Sequence, residues 1–271
     1  MEKLKNIKIA FIDIDGTLNN SKREISDVTK EAIKNATNKG LIVVLCSGRN
    51  NRFVYNASKD CNASQYIIAC NGAEIFDYKN DVYIKEKKIN FNDLDPIWHY
   101  CNDNNLGCLL NCKDKRYCNK NHYIEQDDKQ MINDINNLNS NIYQMITFGY
   151  EYEKMKELEQ LIKESNLKIT NPSLSYLNKD CTSHHYFFDI NTKETNKGNA
   201  IKYLLNYLNL TKENAIGFGD HVNDFDLFNE VGFRIAMGNA NDKLKEIANY
   251  ITLSNDEHGV AYFLNNFIDY N

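Results

Sequence analysis

Asp13 and Asp15, followed directly by Gly16 and Thr17, are the residues whose types and spacing could most readily do chemistry. In extended backbone, side chains at i and i+2 point the same way. The preceding Ile9-Ala-Phe-Ile12 reads as a buried strand of a parallel sheet. Both carboxylates then face one site at the strand's carboxyl end, the edge where open α/β sheets bind ligands. Carboxylate oxygens suit a hard divalent cation. A carboxylate can also attack as a nucleophile or pass a proton. Gly16 breaks the strand and lets backbone approach a ligand closely. Taken alone, these letters also fit a strand that ends in an acidic turn.

The elements that must position these residues alternate in type. A helix over 27–39, with Ser26 as N-cap and Gly40 closing it, leads to a strand over 41–46 that ends in Ser47-Gly48-Arg49. A helix over 51–59 and a strand over 66–70, ending in Asn71-Gly72, follow. Strands spaced by helices imply a doubly wound parallel sheet with its loops gathered at one edge. From about residue 80 the style changes. A hairpin over 74–85 opens a mixed segment with helices expected over 92–104, 127–136 and 151–165. Strands are expected there over 107–111, 142–148, 168–170 and 186–189, and the whole reads as an α+β insert. Alternation returns near residue 189. A helix begins at Lys197-Gly198, and a strand over 215–218 runs into Gly219-Asp-His-Val-Asn-Asp224.

Bulk properties exclude several classes. The 271 residues allow one large domain or two moderate ones. A net charge of −5 gives no basic patch, so nucleic acid is not an expected partner. No run approaches the roughly 20 apolar residues of a membrane span, and none resembles a secretory signal. The eight cysteines then read as reduced thiols of a cytoplasmic protein. His99, Cys101, Cys108, Cys112, Cys118 and His122 lie close in sequence, but only Cys108 and Cys112 have the spacing of a zinc pair. Cys181 with His184 and His185 is similarly incomplete. Ordinary buried thiols and surface histidines account for them better.

Asp13-Ile-Asp-Gly-Thr17, Ser47-Gly-Arg49, Lys197-Gly198 and Gly219-Asp-His-Val-Asn-Asp224, in that order, resemble the four-part signature of the haloacid dehalogenase-like superfamily. The large insert between the second and third motifs resembles the cap of its Cof-type phosphatase branch. Asn71-Gly-Ala73, Met237-Gly-Asn-Ala240 and His258-Gly-Val260 stand where that branch has them. The resemblance implies a Rossmann-like α/β core from residues 1–80 and 188–271, with an α+β cap over 81–187 that chooses the substrate. It implies Asp13 as nucleophile, Asp15 as general acid/base and Lys197 as the cation beside them. Mg²⁺ would be held by Asp13, Asp220 and the backbone carbonyl of Asp15, with Asp224 anchored behind them and Thr17 beside them. The N–H of Ile14, with Ser47, Gly48, Lys197 and Asn223, would bind phosphate; a hydroxyl and free N–H groups ahead of a helix suit that task. His221 could graze the substrate or cap its turn, and the second is the expectation. Arg49 is expected to support its loop or pair with an acid rather than touch phosphate.

The reading is a Mg²⁺-dependent phosphatase for a small phosphorylated metabolite, a sugar phosphate or a phosphorylated cofactor. A phosphomutase and a non-catalytic phosphometabolite-binding protein are the alternatives. A dehalogenase fits least, because a halide leaving group has no use for the proton of Asp15. Oligomeric state has no signal in the sequence.

Overall fold

The computed structural model describes residues 2–120, 129–172 and 186–270. It divides into two compact units, Met1–Lys85 with Asn196–Asn271, and Glu86–Thr195.

In chain order the first unit opens with β1 (Ile9–Asp13), α1 (Asp27–Asn38), β2 (Ile42–Cys46), α2 (Asn51–Asp60), β3 (Tyr66–Ala69), β4 (Glu74–Asp77) and β5 (Val82–Glu86). The second unit supplies α3 (Phe91–Asp103), β6 (Gly107–Cys112), β7 (Arg116–Cys118), β8 (Lys129–Met131), β9 (Ile142–Gly149), α4 (Tyr152–Glu164), β10 (Leu167–Pro172) and β11 (Tyr186–Thr192). The chain returns to the first unit through α5 (Lys197–Tyr207), β12 (Ala215–Gly219), α6 (Phe225–Asn229), β13 (Phe233–Ala236), α7 (Asp242–Ile247), β14 (Tyr250–Ile251) and α8 (Gly259–Phe267).

The first unit is built on an eight-stranded sheet of order β14-β13-β12-β1-β2-β3-β4-β5. The pairs from β14 through β3 are parallel, and β4 runs antiparallel to β3. Ile9, Ala10, Phe11 and Ile12 are fully buried, as a strand covered on both faces requires. The chain leaves β1 towards β2 on one side and returns as β12 on the other. The strand order therefore reverses at the β1–β12 pair, which opens a crevice at their carboxyl ends. Asp13 ends β1, and Asp220 follows β12 directly. The α/β class expected from the sequence, a parallel core sheet with an α+β insert, is the class observed.

Two segments differ from expectation. The hairpin read as the opening of the insert belongs to the first sheet, where Ile75 and Ile68 are paired across β4 and β3. Ile75 is buried in that core and Ile84 packs against it, so the apolar face of the hairpin decides where it goes. The helix expected over 127–136 is absent from its described part. Lys129–Met131 is a strand, and Ile135–Asn137 is a single tight turn. Asp134 accepts the Asn136 N–H at 2.8 Å, a local bond that competes with helix.

The second unit carries a six-stranded sheet of order β10-β11-β9-β6-β7-β8. Helices α3 and α4 bury Leu94, Ile97, Trp98, Met155, Leu158 and Ile162 against Leu110, Met145 and Ile190 of its strands. The insert's strand β11 extends to Thr192, pairing with β10, so the chain leaves this sheet later than the expected 187.

Candidate active site

Asp13 is the last residue of β1, opposite Cys46 of β2, and is only 5% exposed. After it the chain makes one wide turn, Ile14–Leu18, closed by the Asn19 N–H on the Ile14 carbonyl at 2.9 Å. Gly16 has φ +87°, and a Cβ there would stand 2.4 Å from Asp220 Oδ2. Only glycine meets both demands. The turn is fastened from outside by Asn239, whose Nδ2 donates to the Gly16 carbonyl at 2.8 Å.

Lys197 is the first residue of α5, whose N-cap is Asn196. The close approach of that helix depends on the next residue, since a Cβ on Gly198 would lie 2.4 Å from the Asp226 carbonyl oxygen. The Lys197 ammonium is buried with Asp13 and Asp224. It bonds Asp13 Oδ1, and it donates to Asp224 Oδ1 at 2.7 Å. The lysine is therefore not a solvated surface cation. Burial opposes its charge, but Asp13 and Asp224 outweigh that and hold its pKa above the usual lysine value.

Asp224 has both oxygens engaged, because Oδ2 accepts the N–H groups of Asp220 at 3.0 Å and His221 at 3.2 Å. His221 itself serves the turn through its backbone, its carbonyl accepting the Asp224 N–H at 3.0 Å. Asn223 lies half-buried in the same turn. Thr17 donates to Asp220 Oδ1 at 2.7 Å, tying the turn after β1 to the one after β12. Asp13, Asp220 and Asp224 thus offer oxygens that lie within 4.8 Å of one another, a group able to hold a metal ion.

What each carboxylate already does decides how a hard cation fits. Asp224 is committed to Lys197 and two backbone amides. Asp13 and Asp220 are the members with an oxygen beyond their own bonds. Burial, then the charge of Asp224, pushes Asp220 up to about 6. Burial likewise raises Asp13, with Lys197 pulling the other way. Asp13 and Asp220 fit a hard divalent ion, and Asp224 fits the role of holding Lys197. Among the described residues of the insert, no comparable group of cysteines and histidines gathers. His122, Cys181, His184 and His185 lie outside the described residues.

Ser47 is buried at the end of β2. Helix α2 begins later and is capped by Asn50, which accepts the Phe53 N–H at 3.0 Å. Ser47 therefore sits in the loop ahead of that helix. Its Oγ accepts the Arg49 N–H at 3.1 Å, and a hydroxyl that accepts one bond still has its own proton to donate. Gly48 is packed against Asn71, where a Cβ would lie 2.9 Å from Oδ1. Asp15 is exposed and is gripped by Arg49, with Nε on Oδ2 at 3.0 Å and Nη2 on Oδ1 at 2.9 Å. Asn239 was not singled out in the sequence. Its only signal there was its place in Met237-Gly-Asn-Ala240.

Fold and site together define an α/β protein that gathers buried carboxylates and a lysine at the point where the strand order reverses. Residues 10–264 match the haloacid dehalogenase-like hydrolase family, and the chain belongs to it. It is 30% identical over 267 residues to the 5-amino-6-(5-phospho-D-ribitylamino)uracil phosphatase YcsE of Bacillus subtilis, covering 97% of this chain and 96% of that one. It is 27% identical to the phosphoglycolate phosphatase of Methanobrevibacter smithii, covering 97% and 99%. A haloacid dehalogenase-like hydrolase from Bacteroides thetaiotaomicron has the same fold, with a TM-score of 0.81 at 24% identity over 96% of this chain and 98% of that one. The Cof-type reading of the motifs stands, and the chain takes its place among phosphoric monoester hydrolases.

Proposed function

We propose that the protein hydrolyses small phosphate monoesters, with Mg²⁺, through a phosphoryl group carried on Asp13. The observation that carries this is the buried Lys197, which spans Asp13 and Asp224 while Asp220 stands beside them. A carboxylate fixed between a cation and a ligand site is placed to attack phosphorus. In the first half-reaction an Asp13 oxygen bonds phosphorus, the ester P–O bond breaks, and the leaving oxygen takes a proton from Asp15. In the second, water attacks the same phosphorus and returns that proton to Asp15, releasing phosphate and freeing Asp13. Lys197, the Ser47 hydroxyl and the backbone amides of Ile14 and Gly48 hold the phosphoryl oxygens, with Asn223 beside them.

Asp13, Asp220 and the Asp15 carbonyl would hold Mg²⁺, with Asp224 and Thr17 supporting them. The ion supplies positive charge that offsets repulsion between a carboxylate and a dianionic phosphate. We assign the choice of leaving group to the insert, because the residues gathered around Asp13 address only a phosphate and an ion. Ribityl and other sugar phosphates stand first as substrates, since the relative from Bacillus subtilis is named for a ribityl phosphate.

The test is phosphate release from a panel of sugar phosphates, vitamin phosphates and nucleotides, with and without Mg²⁺. Release that needs Mg²⁺ and vanishes in Asp13→Asn, with folding intact, is the expected result. Full turnover by Asp13→Asn would end the nucleophile assignment. Dependence on a bisphosphate activator without net phosphate release would make the protein a mutase.

A further inference from the structure

We propose that Arg49 is the positioning residue for Asp15, fixing the direction in which that carboxyl group delivers and receives its proton. The inference rests on the acid–base reading of Asp15 given above. Asp15 stands in a turn that points it into solvent, and its side chain is 43% exposed. A free aspartate there would sample several rotamers, few of them aimed at a leaving oxygen. Arg49 removes that freedom. Its Nε and Nη2 reach the two different oxygens at 3.0 and 2.9 Å, the fork-on-carboxylate geometry that fixes the plane of the acid.

The fork is itself held. The Arg49 N–H donates to Ser47 Oγ at 3.1 Å, and the Arg49 carbonyl accepts the Cys70 N–H at 2.8 Å. The guanidinium lies 5.2 Å from the centre of the Phe53 ring. Cys70 and Asn71 both have positive φ, at 50° and 58°, so the loop that receives Arg49 is built around an uncommon backbone. A flexible surface arginine would have none of these anchors.

Two lone pairs remain on an aspartate gripped in this way, one on each oxygen, because the fork takes only two of about four. The carboxyl group can therefore stay oriented while one oxygen carries a proton to the leaving alkoxide. The same oxygen can take the proton back from the attacking water. No atom of Arg49 enters either bond change, so its effect acts through Asp15.

The experiment compares two esters by kcat/KM, which reports steps only through departure of the leaving group. The first is p-nitrophenyl phosphate, which leaves as a stabilised phenolate and needs little protonation. The second is ribose 5-phosphate, or whichever alkyl phosphate of the panel is turned over fastest, whose alkoxide needs the proton. Arg49→Gln is expected to raise the aryl-to-alkyl ratio of kcat/KM by about 10–100-fold, a part of the 10²–10⁴-fold that general acid catalysis supplies. Arg49→Lys is expected to do nearly the same, because lysine keeps the charge and loses the fork. Asp15→Asn should show the same selectivity in full.

Equal loss on both esters in Arg49→Gln would assign Arg49 to phosphate binding or loop support, and would overturn the proposal. So would an unchanged ratio, a lowered ratio, or full rescue by Arg49→Lys. If Asp15→Asn itself fails to discriminate between the esters, the acid–base reading of Asp15 falls, whatever Arg49 does. Both partners of the pair are about half exposed, so folding is not at stake in these variants.

Discussion

Replacing Lys197 by Met keeps most of the side-chain length and removes the charge that joins Asp13 to Asp224. All three groups are buried, at 2%, 5% and 0% exposure, so solvent cannot take over the role. At the effective dielectric of proteins each close pair has a gross attraction of about 4 kcal/mol. Burying the ammonium offsets much of that, while loss of one partner strands the other charges. Breaking such a pair costs about 3–5 kcal/mol. For a chain this size that lowers Tm by about 6–20 °C, at about 2–4 °C per kcal/mol.

The pH dependence gives the sharper check. Burial, with Asp224 and Asp220 next, raises Asp13 above its ordinary value even with the lysine present, and without it the rise must grow. An acid whose pKa is raised on folding binds its proton more tightly in the folded state, so stability falls as pH rises. The deficit of Lys197→Met relative to the parent should therefore be larger at pH 8 than at pH 5. Urea denaturation of both proteins at the two pH values measures it directly. A deficit below about 1 kcal/mol at pH 8, the range of an exposed pair, would refute the reasoning. A deficit that grows towards pH 5 would refute it as well.

Asp220 is pushed up to about 6, and a proton and the proposed cation would compete for the same oxygens. The rise in Tm on adding Mg²⁺ should be full near pH 7.5 and mostly gone by pH 5, read by thermal unfolding with and without the ion. Gly16→Ala would force a Cβ to 2.4 Å from Asp220 Oδ2 at φ +87°, so it should cost about 1–2 kcal/mol from the backbone alone and lower Mg²⁺ affinity further. Calorimetric titration with Mg²⁺ and a urea melt separate the two effects. Asn239→Ala removes the bond to the Gly16 carbonyl and should lower activity several-fold with a stability loss of about 1 kcal/mol, checked by steady-state kinetics beside a thermal melt.

Local pattern made the strands and their terminal motifs readable, because each motif sits at the end of its own apolar run. The meeting of Asp13 with Lys197 was not local, since 184 residues separate them. No periodicity fixes such a contact; the order of the motifs along the chain supplied it through resemblance. The hairpin over 74–86 was readable as a hairpin, but not as part of the first sheet. Two sheets competed for its apolar face, and only packing of Ile75 and Ile84 against one core decides between them. The stretch after residue 127 misled for a related reason, because its spaced apolar residues suit a helix while Asp134 satisfies the backbone locally instead.

The contacts of Asn239 and Arg49 show where reading by residue type runs out. In a chain so rich in asparagine, one more asparagine in a loop carries little information, although this one fastens from outside the turn that holds Asp15. Arg49 was legible as a support for its loop or the partner of some acid, and only the fold brings it to Asp15. Both contacts converge on the same turn, one through the backbone and one through the side chain. The part of the site least visible in the sequence is thus the part that holds the Asp15 turn and side chain, whereas Asp13 and Lys197 stand in motifs whose order along the chain carries the resemblance.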